Sequence, residues 1–186
     1  MGQFCFCRDV TIERTFEHQI WISANTDALT GLYNRRFFYE YMNENRKENQ
    51  LSLLYVDLDD FKKVNDAHGH HIGDGALELV ARLMREAFPG DFIVRLGGDE
   101  FLICLVGERS LAFLEEKANR LLQSLLEAFQ VSDYLRVMSA SIGIASSADP
   151  GTKLDDLVRQ SDIAMYAAKQ SGKSRCCVYS SGLIKK

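Results

Sequence analysis

The sequence predicts an α/β fold of the ferredoxin-like class: a mixed, mainly antiparallel central sheet with surrounding helices, which the order of elements places on one face. Three observations lead there. Leu51 to Asp57 is a largely apolar run that ends in an acid, as a buried strand does when its last residue reaches the surface. Phe92-Ile93-Val94 and Leu102-Ile103-Cys104-Leu105 flank Arg95-Leu96-Gly97-Gly98-Asp99-Glu100-Phe101, which reads as a hairpin carrying two carboxylates at its tip. Strand signals of this kind alternate with long helical patterns, so a sheet covered by helices is the expected layer arrangement.

Phe4-Cys5-Phe6-Cys7 starts as a short strand, and Arg8 to Thr11 leads on into a helix. From Ile12 to about Ala24, residues Ile12, Phe16, Ile20 and Trp21 form one apolar stripe on an otherwise polar helix, and such a stripe needs a partner surface. Asn25, Thr26 and Asp27 supply capping chemistry, Thr30 to Asn34 forms a turn, and a helix follows from about Arg35 to Lys47. The strand from Leu51 delivers Asp57 and Asp59 at its end, and a helix spans about Asp60 to Ala67. Gly69 and Gly73 punctuate a loop from His68 to Gly75, and the next helix runs to about Phe88, where Pro89-Gly90 stops it. Beyond the hairpin come an amphipathic helix over 110–129, a β-rich run from Leu135 to Ala145, a helix from Leu154 to Gln170 and a last strand from Arg175 to Tyr179. No internal repeat or low-complexity segment interrupts this order.

A chain of 186 residues, 46% hydrophobic and 26% charged, fits one globular domain with a little over. Its net charge of −4 argues against a general nucleic-acid binder, although a few local lysines suffice to hold one nucleotide. Cys5, Cys7, Cys104, Cys176 and Cys177 are an odd number without the spacing of zinc or thioredoxin-like sites, so reduced thiols of a cytoplasmic protein are expected, with Cys104 in the core. No apolar stretch approaches bilayer length, and no secretory leader is visible. The chain is therefore expected to be soluble and to make no membrane contact of its own, whatever anchors a longer parent.

Asp57 and the pair Asp99-Glu100 are the two acidic sites that stand out; if their strands are neighbours, the acids converge. Oxygen ligands without histidine or cysteine suit Mg²⁺, which takes one or two carboxylates and completes its shell with phosphate and water. That arrangement implies a nucleoside triphosphate. The plainer alternatives are a surface turn at the two glycines and a solvated strand end at Asp57 and Asp59.

Asp57-Leu58-Asp59-Asp60-Phe61-Lys62-Lys63-Val64-Asn65-Asp66, followed by Gly69-His70 and Gly73-Asp74, resembles the first signature of GGDEF-domain diguanylate cyclases. Arg95 to Phe101 is similar to the motif that names them, Asp27 to Arg36 to their opening segment, and Ser161 to Lys169 with Gly172-Lys173 to their closing helix. Four motifs in the right order span residues 27 to about 179. The resemblance implies a palm-like, nucleotidyl-cyclase-like sheet and synthesis of cyclic di-GMP from two GTP with release of two pyrophosphates. Two domains are expected to face one another, each ribose 3′-hydroxyl attacking the other substrate's α-phosphate.

By the same resemblance, Asp57, the Leu58 carbonyl, Asp99 and Glu100 are expected to hold Mg²⁺, with Mn²⁺ as a substitute, and Asp99 to help deprotonate the 3′-hydroxyl. Glu100 is either a further ligand or a group that orients Asp99. Gly97 and Gly98 let the nucleotide approach closely. Asn65 and Asp74 match the guanine-reading pair: a carboxylate accepts both guanine donors, and an amide donates and accepts. Lys62 is expected to stabilise charge on the reacting phosphates, and Lys169 and Lys173 to hold the triphosphate tail. His70 lies in the substrate loop, and Phe61 forms the base of the guanine pocket.

Many relatives carry an inhibitory product site, Arg-x-x-Asp, ending five residues before the two glycines. Here the window is Phe88-Pro89-Gly90-Asp91, so the arginine is missing and tight product inhibition through this site is expected to be absent or much weakened. Residues 1–25 resemble the end of an upstream PAS-like sensor domain and a signalling-helix linker, with the cyclase domain over 26–186. The expected partners are GTP, a second copy of the chain in a transient homodimer, and that sensor domain. Two alternatives remain open: a domain that binds GTP or cyclic di-GMP without turnover, and a cyclase acting on a single triphosphate.

Overall fold

The structure is a computed structural model that describes residues 11–45, 50–147, 149 and 151–185. The strand expected at Phe4 to Cys7 and the PAS-like lead-in lie outside the described residues.

Six strands form one sheet in the order β1-β3-β4-β2-β5-β6. At its centre β2 (Leu51–Asp59) runs antiparallel to both β4 (Glu100–Val106) and β5 (Ser139–Ser147), and β3 (Phe92–Gly97) pairs antiparallel with β4. The edges are β1 (Tyr33–Asn34), parallel to β3, and β6 (Arg175–Val178), parallel to β5. The helices are α1 (Thr11–Asn25), α2 (Arg35–Asn45), α3 (Phe61–His68), α4 (His70–Ala87), α5 (Leu111–Gln130) and α6 (Leu154–Gln170).

Helices cover both faces, which corrects the expectation of one. Leu54, Val56 and Leu58 share a core with Val64 of α3, Val80 of α4 and Leu121 of α5, whereas Leu53 and Tyr55 pack with Phe38 of α2 and Met165 of α6. The reason is visible in β2: it is apolar at both parities, and a strand of that kind cannot face water on either side. Every residue of β2 is buried, including its two acids.

Three local differences have physical causes. The second half of the expected turn over 30–34 is β1, because Tyr33 and Asn34 find open backbone partners at Val94 and Arg95. The expected loop over 68–75 is mostly helix: a single residue, Gly69 at φ 87°, separates α3 from α4. Gly73 acts there as a close-approach residue, since a Cβ would stand 1.9 Å from Asn65 Oδ1. The run expected to start a strand at Leu135 stays in turns until Ser139, with Met138 N–H donating to Leu135 O at 2.8 Å.

Much of the α1 stripe is uncovered among the described residues, Phe16 being 60% and Ile20 68% exposed. Trp21 meets an aromatic partner, Phe37 of α2, edge-on at 5.4 Å. Among the described residues no helix is long and apolar enough to cross a membrane.

Candidate active site

The acids do converge. Asp57, near the end of β2, sits directly opposite Glu100, the first residue of β4, and Leu58 N–H donates to the Asp99 carbonyl at 3.3 Å. Between β3 and β4 the register slips after Arg95, and the chain turns through Gly97 (φ 149°) and Gly98 (φ 54°). Beyond the glycine's own atoms and its two chain neighbours, nothing lies within 4 Å of where a Cβ would stand at either position, so the approach to the hairpin tip is open. Arg95 clamps that tip: its Nε and Nη2 donate to Gly98 O at 3.1 and 2.8 Å, and its Nη1 donates to Asp27 Oδ1 at 3.0 Å. Asp27 in turn accepts from Thr30 N and Thr30 Oγ1 at 2.8 and 2.7 Å. From the sequence, Asp27 is capping chemistry and Arg95 is part of the hairpin motif; nothing there says that two segments 68 residues apart meet.

Asp57 is 6% exposed, with Lys169 Nζ of α6 at 2.5 Å from its Oδ1. Burial pushes its carboxyl up to about 6; Lys169 opposes the rise, and the charges of Asp99 and Glu100 add to it. The contact with Lys169 is an ion pair rather than an aligned hydrogen bond, and Asp57 Oδ1 has no other partner. Lone pairs left over on a buried carboxylate, beside two more acids at an open turn, are a donor set that fits a hard divalent cation. Among the described residues no three His, Cys, Asp or Glu side chains gather at ligand spacing.

The alternative of a solvated strand end does not hold, since Asp59 is 2% exposed and accepts from Ser139 and Ser141 hydroxyls. The next residue, Asp60, adopts the left-handed region at φ 61° and turns the chain into α3. Its carboxylate meets Lys63 at 2.8 Å and Lys173 at 3.0 Å, and these two hydrogen-bonding ammonium groups hold its pKa below the usual value. The same contact with Asp60 raises the pKa of Lys173.

On the other flank, α3 and α4 bring Phe61, Asn65 and Gly73 together, with Phe61 Cζ 3.1 Å from where a Gly73 Cβ would stand. Asn65 Oδ1 is buried there without a hydrogen-bond partner. Asp74 and His70 are exposed in the first turns of α4. Lys62 is exposed on α3, and no ion pair joins it to the carboxylates among the described residues. At the degenerate product-site window, Phe88 is 1% exposed and packs into the core beneath Lys117 Nζ, 4.8 Å from its ring centroid. Asp91 lines a separate cavity of about 290 Å³ with Trp21, Tyr33 and Arg85.

The family model for the diguanylate cyclase, GGDEF domain, matches residues 24–175. The cyclic di-GMP phosphodiesterase PdeR of Escherichia coli is 37% identical over 179 residues, covering 94% of this chain and 27% of that protein. A diguanylate cyclase of Vibrio cholerae is 32% identical over 180 residues, covering 92% of this chain and 54% of that protein. The chain thus spans about a quarter to a half of the length of these relatives. The crystal structure of the coiled coil and GGDEF domain of DgcB from Caulobacter crescentus, in complex with c-di-GMP, superposes with a TM-score of 0.80 at 28% identity, covering 91% of this chain and 94% of that one. Matching motifs, a matching sheet and convergent acids at the hairpin agree with one another: the chain belongs to the GGDEF-domain family of diguanylate cyclases.

Proposed function

We propose that this domain condenses two GTP molecules into cyclic di-GMP and two pyrophosphates, in a Mg²⁺-dependent reaction across a homodimer. The observation that carries the proposal is the meeting of Asp57 with Asp99 and Glu100 at the end of β2. In each half-reaction a ribose 3′-oxygen bonds to the α-phosphorus of the other GTP, the bond to the pyrophosphate oxygen breaks, and the hydroxyl proton leaves.

Asp57, the Leu58 carbonyl, Asp99 and Glu100 would hold the metal, and Mn²⁺ would substitute. When bound, the cation neutralises phosphate charge and favours departure of pyrophosphate. Asp99 accepts the 3′-hydroxyl proton, and Glu100 acts as a further ligand or orients Asp99. Lys62 offsets charge on the reacting phosphates; Lys169 exchanges Asp57 for the triphosphate tail, which Lys173 also holds. Asn65 and Asp74 read the guanine edge above Phe61, with His70 at the mouth of the pocket, and the bare backbone of Gly97 and Gly98 admits the nucleotide. Because each site supplies one substrate, turnover requires a second copy, which an upstream sensor domain would bring into place. A domain that consumes GTP belongs in the cytoplasm, and its net charge of −4 speaks against nucleic acid as a partner.

The phosphodiesterase among the relatives favours a second reading, in which the domain binds GTP and regulates an attached partner without turnover. Incubation with GTP and Mg²⁺ over a wide protein concentration range, beside Asp99→Ala, separates the two. Cyclic di-GMP identified by mass spectrometry, rising more steeply than protein concentration and lost in the variant, supports the cyclase. GTP binding without product at any concentration would establish the regulatory module instead.

A further inference from the structure

We propose that Asp59 is a positioning residue for the phosphate side of the site: it holds the backbone turn after α6 and so sets the place of Lys173. The inference rests on the reading of Lys173 as a triphosphate contact.

Asp59 Oδ2 accepts from Ser139 Oγ at 2.6 Å, Ser141 Oγ at 3.1 Å and Ser174 N–H at 3.3 Å, and Oδ1 accepts from Ser141 Oγ at 2.9 Å. Ser139 and Ser141 stand opposite Asp59 and Asp57 on β5, so both hydroxyls belong to the same face of the sheet. A carboxylate 2% exposed is costly unless its lone pairs are filled, and an apolar side chain would pack this position at lower cost. The turn it bonds is unusual. Gly172, Lys173 and Ser174 all have positive φ, at 112°, 61° and 49°, and the last two carry side chains that disfavour it. Gly172 and Lys173 N–H groups return to Lys169 O and Ala168 O at 3.2 and 3.1 Å and end α6, whereas Ser174 N–H goes to Asp59. The Lys173 ammonium then reaches Asp60 at 3.0 Å, so two consecutive acids grip one turn by its backbone and its side chain. Asp59 therefore acts through Lys173 and does not touch the substrate.

The test uses the whole chain and two probes with Mg²⁺: 3′-deoxy-GTP, which carries the tail but lacks the attacking hydroxyl, and GMP, which lacks the tail. Asp59→Ala is expected to weaken 3′-deoxy-GTP about tenfold while GMP stays within about twofold. Asp59→Asn, which keeps an acceptor for Ser174, recovers most of the loss. In a Lys173→Ala background Asp59→Ala adds little, because the two act as one unit. Equal weakening of both probes, no weakening, or losses that add with Lys173→Ala would overturn the proposal. Should Asp59→Ala not fold, Asp59→Asn carries the same comparison, with a smaller loss that is still confined to 3′-deoxy-GTP and still non-additive. Wild-type protein that binds neither probe removes the nucleotide reading and this inference together; wild-type binding with an unselective Asp59 effect removes only the inference.

Discussion

Replacing Phe88 with arginine restores the residue type of an Arg-x-x-Asp product site, and the structure predicts that it restores nothing else. Phe88 is 1% exposed and shares a core with Met84, Leu114 and Ala118, under the Lys117 ammonium, which itself donates to Ala87 O. Emptying a buried phenylalanine site costs about 3–5 kcal/mol. An arginine there either swings to water and leaves that cavity, or buries a guanidinium beside an ammonium at a further cost of several kcal/mol. The loss is thus at least about 3 kcal/mol, against a total stability of about 5–15 kcal/mol for a domain of this kind. Urea denaturation of wild type, Phe88→Ala and Phe88→Arg measures it, and calorimetric titration with cyclic di-GMP reads product binding in the folded proteins. We expect arginine to cost no less than alanine, and neither to confer submicromolar product binding. Phe88→Arg within about 1 kcal/mol of wild type, with tight product binding that Asp91→Ala removes, would refute the reasoning.

Gly143→Ala would place a Cβ 1.9 Å from Ser161 O and 2.1 Å from Met165 N, both backbone atoms of α6 that cannot step aside. A loss of about 3 kcal/mol or more in urea denaturation is expected, and a wild-type midpoint would show that α6 does not lie on β5 as described. Arg95→Ala removes the clamp on the hairpin tip, with a stability loss of about 1–2 kcal/mol given its partial exposure. Its kcat should fall by roughly 10- to 100-fold with KM little changed, because Asp99 loses its placement. Arg95→Lys, lacking the fork, should not rescue it, and an unchanged kcat in either variant would be decisive against the clamp. Burial acts to raise the Asp27 pKa, but hydrogen bonds from Thr30 and Arg95 outweigh it and leave the group below the usual value of 3.8. Its stabilisation is therefore complete above the ordinary carboxylate range and is lost as pH falls through the lowered value. Asp27→Asn should narrow the stability gap between about pH 7 and pH 3, and equal gaps in the two proteins would contradict this.

The helix from Leu154 to Gln170, the central strand and the hairpin were legible because their signals are local: periodicity in α6, an apolar run in β2, two glycines between strands. The candidate site stood out for a similar reason, as compact motifs around Asp57 and Asp99 whose acids the fold brings together. What could not be read were properties of pairs. Gly73 looked like loop punctuation and Gly143 carried no signal within its β-rich run, and only the packing of α3 on α4 and α6 on β5 shows that each admits another element at a distance no side chain allows.

By itself the sequence determined which residue types are available to the site and roughly where: acids at the end of a strand and at a glycine turn, an amide and an acid on either side of a glycine-punctuated segment, lysines at the end of a late helix and just after it. Only the tertiary structure decided that helices cover both faces, that Phe88 faces inward and that Asp59 is buried under two serines. It alone joined Asp27 to the hairpin through Arg95. The physical reason is that periodicity and turn preferences act within a few residues along the chain, whereas burial, ion pairing and close backbone approach depend on segments that meet only when the sheet assembles.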